Sequence, residues 1–145
     1  MSEIATPTQL IRLAKKFPDK LVSQIDKGTH KEDYVNHAVI AQRLLQVVGP
    51  YSWHCKTLES EGVVVAMKGQ LTLEVDGKLI KVEGTGTDQG NKNKTIGEKI
   101  KEMESDAFKR AASKVGVGLH LWAQDQYFLN QQLSKDYGID LNEVS

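Results

Sequence analysis

The side chains best suited to chemistry in this 145-residue sequence are cationic, and they fall in two neighbouring places. The first is an Asn-rich loop bounded by Gly90, which carries Lys92 and Lys94 and leads straight into a helix start at Thr95. Two ammonium groups, the unpaired N–H groups of a first helical turn and the positive end of a helix dipole converge there, the makings of a phosphate site. The second is the helix itself, with Lys99, Lys109, Arg110 and, beyond them, Lys114. At about 100° per residue, Lys99 and Arg110 project from one flank and Lys109 from the face opposite the apolar stripe. A plainer use for these charges exists. Glu102 and Asp106 lie among them, and Asp106 reaches Lys109 and Arg110 at three and four residues' spacing, the pattern of a solvated helix laced with weak ion pairs. A Lys-Arg pair beside an alanine-lined seam also suits a groove between this helix and the preceding hairpin. Spacing alone leaves both uses open.

Enzyme constellations are largely dismissed. Gly84-Thr85-Gly86-Thr87 and the run from Gly90 to Thr95 look phosphate-friendly, yet a nucleotide-binding P-loop needs Gly-Lys-Ser/Thr contiguous, and Gly90 is followed by Asn91. His30, His37, His54 and His120 lack metal-ligand spacing, and Cys55 is the single cysteine, so neither a zinc site nor an intrachain disulfide is expected. Cys55 reads as a small hydrophobe on a strand and His37 as a packed or capping imidazole within a helix. No carboxylate pair stands out as acid and base, and no cofactor is called for. Tyr34, Tyr51, Trp53, Trp122, Tyr127 and Phe128 are of a type that stacks on bases. Their apolar neighbours favour packing, in the core or a subunit interface, for Trp53 and Trp122.

Length and mass (16.1 kDa) fit one domain with one core, burying roughly 70% of the unfolded surface. Lys plus Arg and Asp plus Glu are 19 each, so net charge predicts no polyanionic partner. The distribution is uneven, however. Residues 1–31 carry six basic side chains against three acidic, 32–91 five against eight, 92–115 seven against four, and the last thirty one against four. Two basic segments on a neutral molecule form a stripe, and a stripe matters more to a polyanion than the sum does. No window approaches a membrane span and the N-terminus lacks a signal-peptide layout, so a cytoplasmic address is expected.

These side chains must be positioned by a chain whose patterning reads helix, short strand, helix, three-stranded meander, long helix. A first helix is expected over 8–17, with Leu10, Leu13, Ala14 and Phe17 on one face and Pro18 ending it, then an edge strand over 21–25. A stronger helix is expected over 33–48, its buried side Val35, Ala38, Ala41, Leu45 and Val48, stopped by Gly49-Pro50. Strands follow over 51–58, 62–75 and 78–87, the last two joined by Asp76-Gly77, a type I′ hairpin signal. Thr95-Ile96-Gly97-Glu98 has the form of a capping box, opening a helix with the stripe Ile96, Ile100, Met103, Ala107, Ala111 and closing at Gly116. A polar helical tail is expected over 122–135. The class is α+β, with the long helix packed across the meander.

Two stretches carry a resemblance. Tyr34-Val35-Asn36-His37-Ala38-Val39-Ile40, continuing through Val48-Gly49-Pro50-Tyr51-Ser52-Trp53, is similar to one signature of the single-strand annealing family of the eukaryotic Rad52 recombination protein. Ser105-Asp106-Ala107-Phe108-Lys109-Arg110-Ala111-Ala112 with Gly116-Val117-Gly118-Leu119-His120-Leu121-Trp122 resembles the second. The family includes phage and bacterial relatives such as the DNA-damage-response protein A. The resemblance covers about residues 30–123, in order and with the intervening hairpin; residues 1–29 and 124–145 read as appendages of a single annealing and oligomerisation domain.

The resemblance implies an ATP-independent protein, not an enzyme, that binds single-stranded DNA and anneals complementary strands in recombination and repair. It implies homo-oligomeric rings or arcs, with DNA in a basic groove between hairpin and long helix and a partner exonuclease among its associates. Lys109 and Arg110 match the family's backbone-contacting Lys-Arg pair, Tyr34 a tyrosine near the same groove, and Lys92 and Lys94 lysines of the loop before the helix. Departures are plain: Ser113, with Lys114 adjacent, stands where relatives carry a further basic residue. Gly-Val-Gly-Leu-His-Leu-Trp stands where many bacterial relatives read Gly-Ile-Gly-Arg-Tyr-Leu-Tyr. The long C-terminal extension that recruits a recombinase in eukaryotic members is not seen, so mediator activity does not carry over. Two other classes remain to be weighed. A double-stranded RNA-binding module also sets a helix beside a meander, but Lys99 and Lys101 are interleaved with Glu98 and Glu102. A small nucleotide-handling enzyme would have to use the Gly-Thr-Gly-Thr and Lys-Thr region.

Overall fold

The computed structural model describes residues 8–26, 28–88, 90 and 92–140; Lys27, Gln89 and Asn91, and residues 1–7 and 141–145, lie outside the described residues. The elements are α1 (Thr8–Ala14), β1 (Ser23–Asp26), β2 (Lys31–Tyr34), α2 (His37–Val48), β3 (Ser52–Ser60), β4 (Val63–Val75), β5 (Lys78–Thr87), α3 (Ile96–Ser113), α4 (Leu119–Ala123) and α5 (Leu129–Tyr137). Single 3-10 turns lie at Asp19–Leu21 and Gln124–Gln126. The class is α+β, as the patterning predicts: β3, β4 and β5 form an antiparallel meander, and α3 packs across β4 and β5. Among the described residues no helix is long and apolar enough to cross a membrane.

The meander follows from its turn and its alternation. Asp76 and Gly77 both take positive φ, +49° and +82°, as a type I′ turn requires, and Val75 pairs with Lys78 to close it. Leu71, Leu73 and Val75, two apart, point into the core from β4. The Thr95 side chain accepts the N–H of Glu98 at 3.2 Å and starts α3 where the capping box places it. The Gly-Thr-Gly-Thr run is the end of β5, and its glycines let strand and helix backbones touch. A Cβ on Gly84 would stand 2.1 Å from the Ala107 carbonyl oxygen and 2.6 Å from the Ala111 nitrogen, and one on Gly86 2.1 Å from the Met103 carbonyl oxygen.

The α3 stripe is buried at Met103, Ala107 and Ala111 and widened by Phe108 and Ala112, but Ile96 is exposed and Ile100 half-buried. The register explains this: Gly84 meets Ala107, Gly86 meets Met103, Asp88 meets Lys99, and β5 has ended before the level of Ile96.

The N-terminal half departs further from expectation. Asp33 and Tyr34, expected to open the helix over 33–48, end β2, which pairs antiparallel with β1 in a two-stranded ribbon. Asn36 starts α2 instead, its Oδ1 accepting the N–H of Ala38 at 2.9 Å, and His37 is the first, exposed residue of the helix. The buried side of α2 is Ile40, Leu44 and Val47; Leu45 is exposed, and Val35 is buried just ahead of the helix. This helix is apolar on more than one face, and packing on its neighbours selects which face goes in. The helix expected over 8–17 stops at Ala14, with Phe17 still in the core. Seven residues do not hold a helix alone, and both ends of α1 are capped from afar. The Asp76 carboxylate accepts the N–H groups of Gln9 and Leu10 at 3.1 and 3.2 Å. Nη1 of Arg43 donates to the carbonyls of Arg12, Leu13 and Lys15 at 3.2, 3.4 and 2.7 Å, its guanidinium 4.4 Å over the Phe17 ring. The tail is two helices rather than one, broken at Gln124, where φ is +52°.

Candidate nucleic-acid interface

A groove of about 760 Å³ opens along α3, lined on the other side by β1 and β2 and at its ends by Thr87–Asp88 and by α4. Five of the seven residues expected to bind DNA line it: Tyr34, Lys94, Lys99, Lys109 and Arg110. Lys92, in the turn before α3, and Lys114, just past its end, are exposed and do not line it. The location differs from the expected one. The wall facing α3 is the β1–β2 ribbon; the meander contributes only its last residue and Asp88. The ribbon's first strand overlaps the edge strand expected over 21–25; its second is hard to read in sequence because all four residues are exposed, so it lacks the apolar alternation that betrays a strand.

Lys109 is the clearest departure from the helical wheel. Its position opposite the stripe is not open solvent, because the chain between β2 and α2 crosses there. Its Nζ donates to the Val35 carbonyl at 3.2 Å and lies 5.7 Å from the Tyr34 ring centroid. Burial lowers its pKa, with the charge of Asp106 acting the other way. Arg110 is more exposed; its Nε donates to Asp106 Oδ2 at 3.0 Å, an i,i+4 pair, and its guanidinium stands 4.7 Å over the ring of Trp122. Trp122 does not enter the core of the chain. It keeps 47% of its surface open and lines the groove. Trp53 does pack, edge-on to Phe108 at 5.2 Å, its Nε1 donating to Glu104. Cys55 shares that carboxylate, and burial together with Glu104 pushes its thiol pKa up, so it stays a protonated thiol.

The phosphate site expected at the start of α3 is served by the chain's own acids. Lys94 is paired with Glu102 and Lys99 with Asp88 at 3.4 Å. The Gly90 N–H, at 2.9 Å, and then Lys99 hold the Asp88 carboxyl below its ordinary pKa. The groove is therefore mixed in charge rather than plainly basic: Lys94, Lys99, Lys109 and Arg110 share it with Glu32, Asp33, Asp88, Glu102 and Asp106. An arriving phosphate meets cations already oriented by carboxylates. It gains ready-placed donors and must compete for them. Among the described residues, no cluster of His, Cys, Asp and Glu is arranged to hold a metal ion.

Residues 7–138 match the model of a family described as Rad52/22 family double-strand break repair protein. A curated relative is the "DNA repair RAD52-like protein 1, mitochondrial" of Arabidopsis thaliana, 29% identical over 121 residues, or 80% of this chain. The match takes in 66% of that protein, so this chain spans just under two thirds of its length.

Proposed function

The chain belongs to the Rad52/22 family of double-strand break repair proteins, which supports a role in DNA repair and recombination, and on that premise we propose that it binds single-stranded DNA and anneals complementary strands. The observation that carries the proposal is the gathering of Lys94, Lys99, Lys109, Arg110 and Tyr34, from three separate segments of the chain, in one groove. Cations on a groove wall hold phosphates without reading sequence, so binding is sequence-tolerant and weakens with salt. The bases stay available to a second strand, and stacking and pairing supply about 1.4 kcal/mol per step, so no nucleotide hydrolysis is needed. One short, mixed-charge groove binds weakly. Many in a row bind with avidity, which is the reason to propose a homo-oligomer, a ring or an arc. Exposed Val63, Val65 and Leu79 on the meander are candidates for the contacts between copies. A cytoplasmic setting and a partner exonuclease belong to the same proposal.

Lys109→Ala and Arg110→Ala test the groove. Each loses single-strand binding, read by anisotropy of a labelled oligothymidylate, while a cooperative melt and the particle size are kept; Lys109→Ala also gives up its bond to the Val35 carbonyl and melts somewhat lower, Arg110→Ala close to wild type. Wild-type binding by the double variant refutes the site. The double-stranded RNA reading is tested in the same titration: duplex RNA fails to compete with the oligothymidylate if the annealing proposal is right.

A further inference from the structure

We propose that Trp122 is a stacking platform for one nucleobase of the strand held in the groove; this rests on the single-strand binding reading above. The tryptophan is placed by the fold rather than left loose. Leu121 packs against the core, and His120 sits between Phe17 and Tyr127, its ring centroid 5.8 and 5.7 Å from theirs, with Nε2 accepting the Phe17 N–H at 3.4 Å. With the two preceding residues anchored inward, the short helix α4 turns Trp122 onto the groove rim, 47% exposed and beside Arg110. With the Arg110 guanidinium 4.7 Å from its ring, the indole forms a paired unit, a cation for a phosphate and a π-face for the base next to it. A second cation–aromatic pair lines the same groove, Lys109 of α3 with Tyr34 of the facing ribbon, 5.7 Å from Nζ to the ring centroid. Stacking uses the face of a base and leaves its Watson–Crick edge free, so a platform here is compatible with annealing. It also gives each protomer one fixed register point on an otherwise sequence-tolerant strand.

The test compares two probes on the full chain: an oligothymidylate, and an abasic sugar–phosphate oligomer of equal length. Trp122→Leu keeps an apolar side chain and removes the aromatic face. It weakens oligothymidylate binding roughly five- to hundred-fold, the range of one stacked base, and leaves abasic binding within about two-fold. Trp122→Phe restores most of the loss. Oligothymidylate quenches tryptophan fluorescence in the wild type but not in Trp122→Leu, where only the packed Trp53 remains. Equal losses on both probes overturn the proposal, since the ring then only steadies Arg110; so does no loss on either, or equal behaviour of Leu and Phe. Failure of the groove itself is distinct. In that case Lys109→Ala weakens neither probe.

Discussion

Asp106→Asn is expected to tighten single-strand binding while slightly loosening the fold. In the free protein, Asp106 Oδ2 accepts from Arg110 Nε at 3.0 Å, and the same charge favours the ammonium form of Lys109. A phosphate on the outer N–H groups of that guanidinium would sit roughly 6 Å from the carboxylate, given the length of an N–H···O bond. Two like charges at that distance repel by about 0.7 kcal/mol in bulk water and about 2.8 kcal/mol at an effective dielectric near 20. The side chains of Arg110 and Asp106 are 49% and 26% exposed, which places the value toward the water end. Removing the charge therefore strengthens binding by about 1 kcal/mol, roughly five-fold. The exposed i,i+4 pair lost at the same time contributes only about 0.3–0.5 kcal/mol to folding. A third sign comes from salt. Asp106 already serves as a counterion for Arg110, so its loss steepens the slope of log K against log salt by about 0.7, one further single-strand phosphate. Anisotropy titrations of a labelled oligothymidylate at several salt concentrations, beside thermal melts, read all three. Weaker binding with an unchanged melt refutes the reasoning, because the carboxylate would then matter as the group that aims Arg110 rather than as a competitor for it.

Gly84→Ala drives a methyl into the carbonyl of Ala107 and loses about 3 kcal/mol or more by denaturant melt, whereas Gly97→Ala, whose methyl in α3 would meet only the Thr95 hydroxyl at an ordinary 4.0 Å, gains up to about 0.5–1 kcal/mol. Asp76→Gly keeps the left-handed turn but removes both acceptors at the start of α1, costing about 1–2 kcal/mol in the same assay, while Asp76→Asn, which retains an acceptor, costs less. Burial, then the charges of Lys16 and Arg43, depress the pKa of His120 to about 4, with Asp33 opposing. The unfolded chain, with an ordinary value of about 6.5, binds that proton first, so this contribution to stability is whole above about pH 6.5 and drains away as pH falls toward 4. Denaturation midpoints across that window show the slope in the wild type and a flatter one in His120→Gln; equal slopes count against it.

Where the chain advertises a local device, the device is where it should be. Asp76-Gly77 makes its turn, Thr95 caps its helix, and the alternation of β4 faces the core. What escaped reading depends on partners distant in sequence. The Lys-Glu-Asp-Tyr of β2 is wholly exposed and held by pairing with β1, so no periodicity marks it, although Asn36 was available as the helix start. The face that α2 buries is chosen by its neighbours, not by its own composition. In the groove, the Lys-Arg pair and the ion pair of Asp106 with Arg110 were both legible from spacing. Of the opposing wall only β1 was, as the strand expected over 21–25; β2, the crossing chain that shelters Lys109 and the exposure of Trp122 were not, because each is set by tertiary contacts.

The bare contact of Gly84 and Gly86 with the α3 backbone has a mechanical consequence. Without side chains as spacers, the helix lies directly on the strand, and α3 with the meander makes one tightly packed plate. The facing ribbon is a thin two-stranded flap of exposed residues, tied to that plate by Lys109 holding the carbonyl of Val35. The flap is the thinner wall of the groove, and a lysine that turns to grip something else gives up its hold beside it.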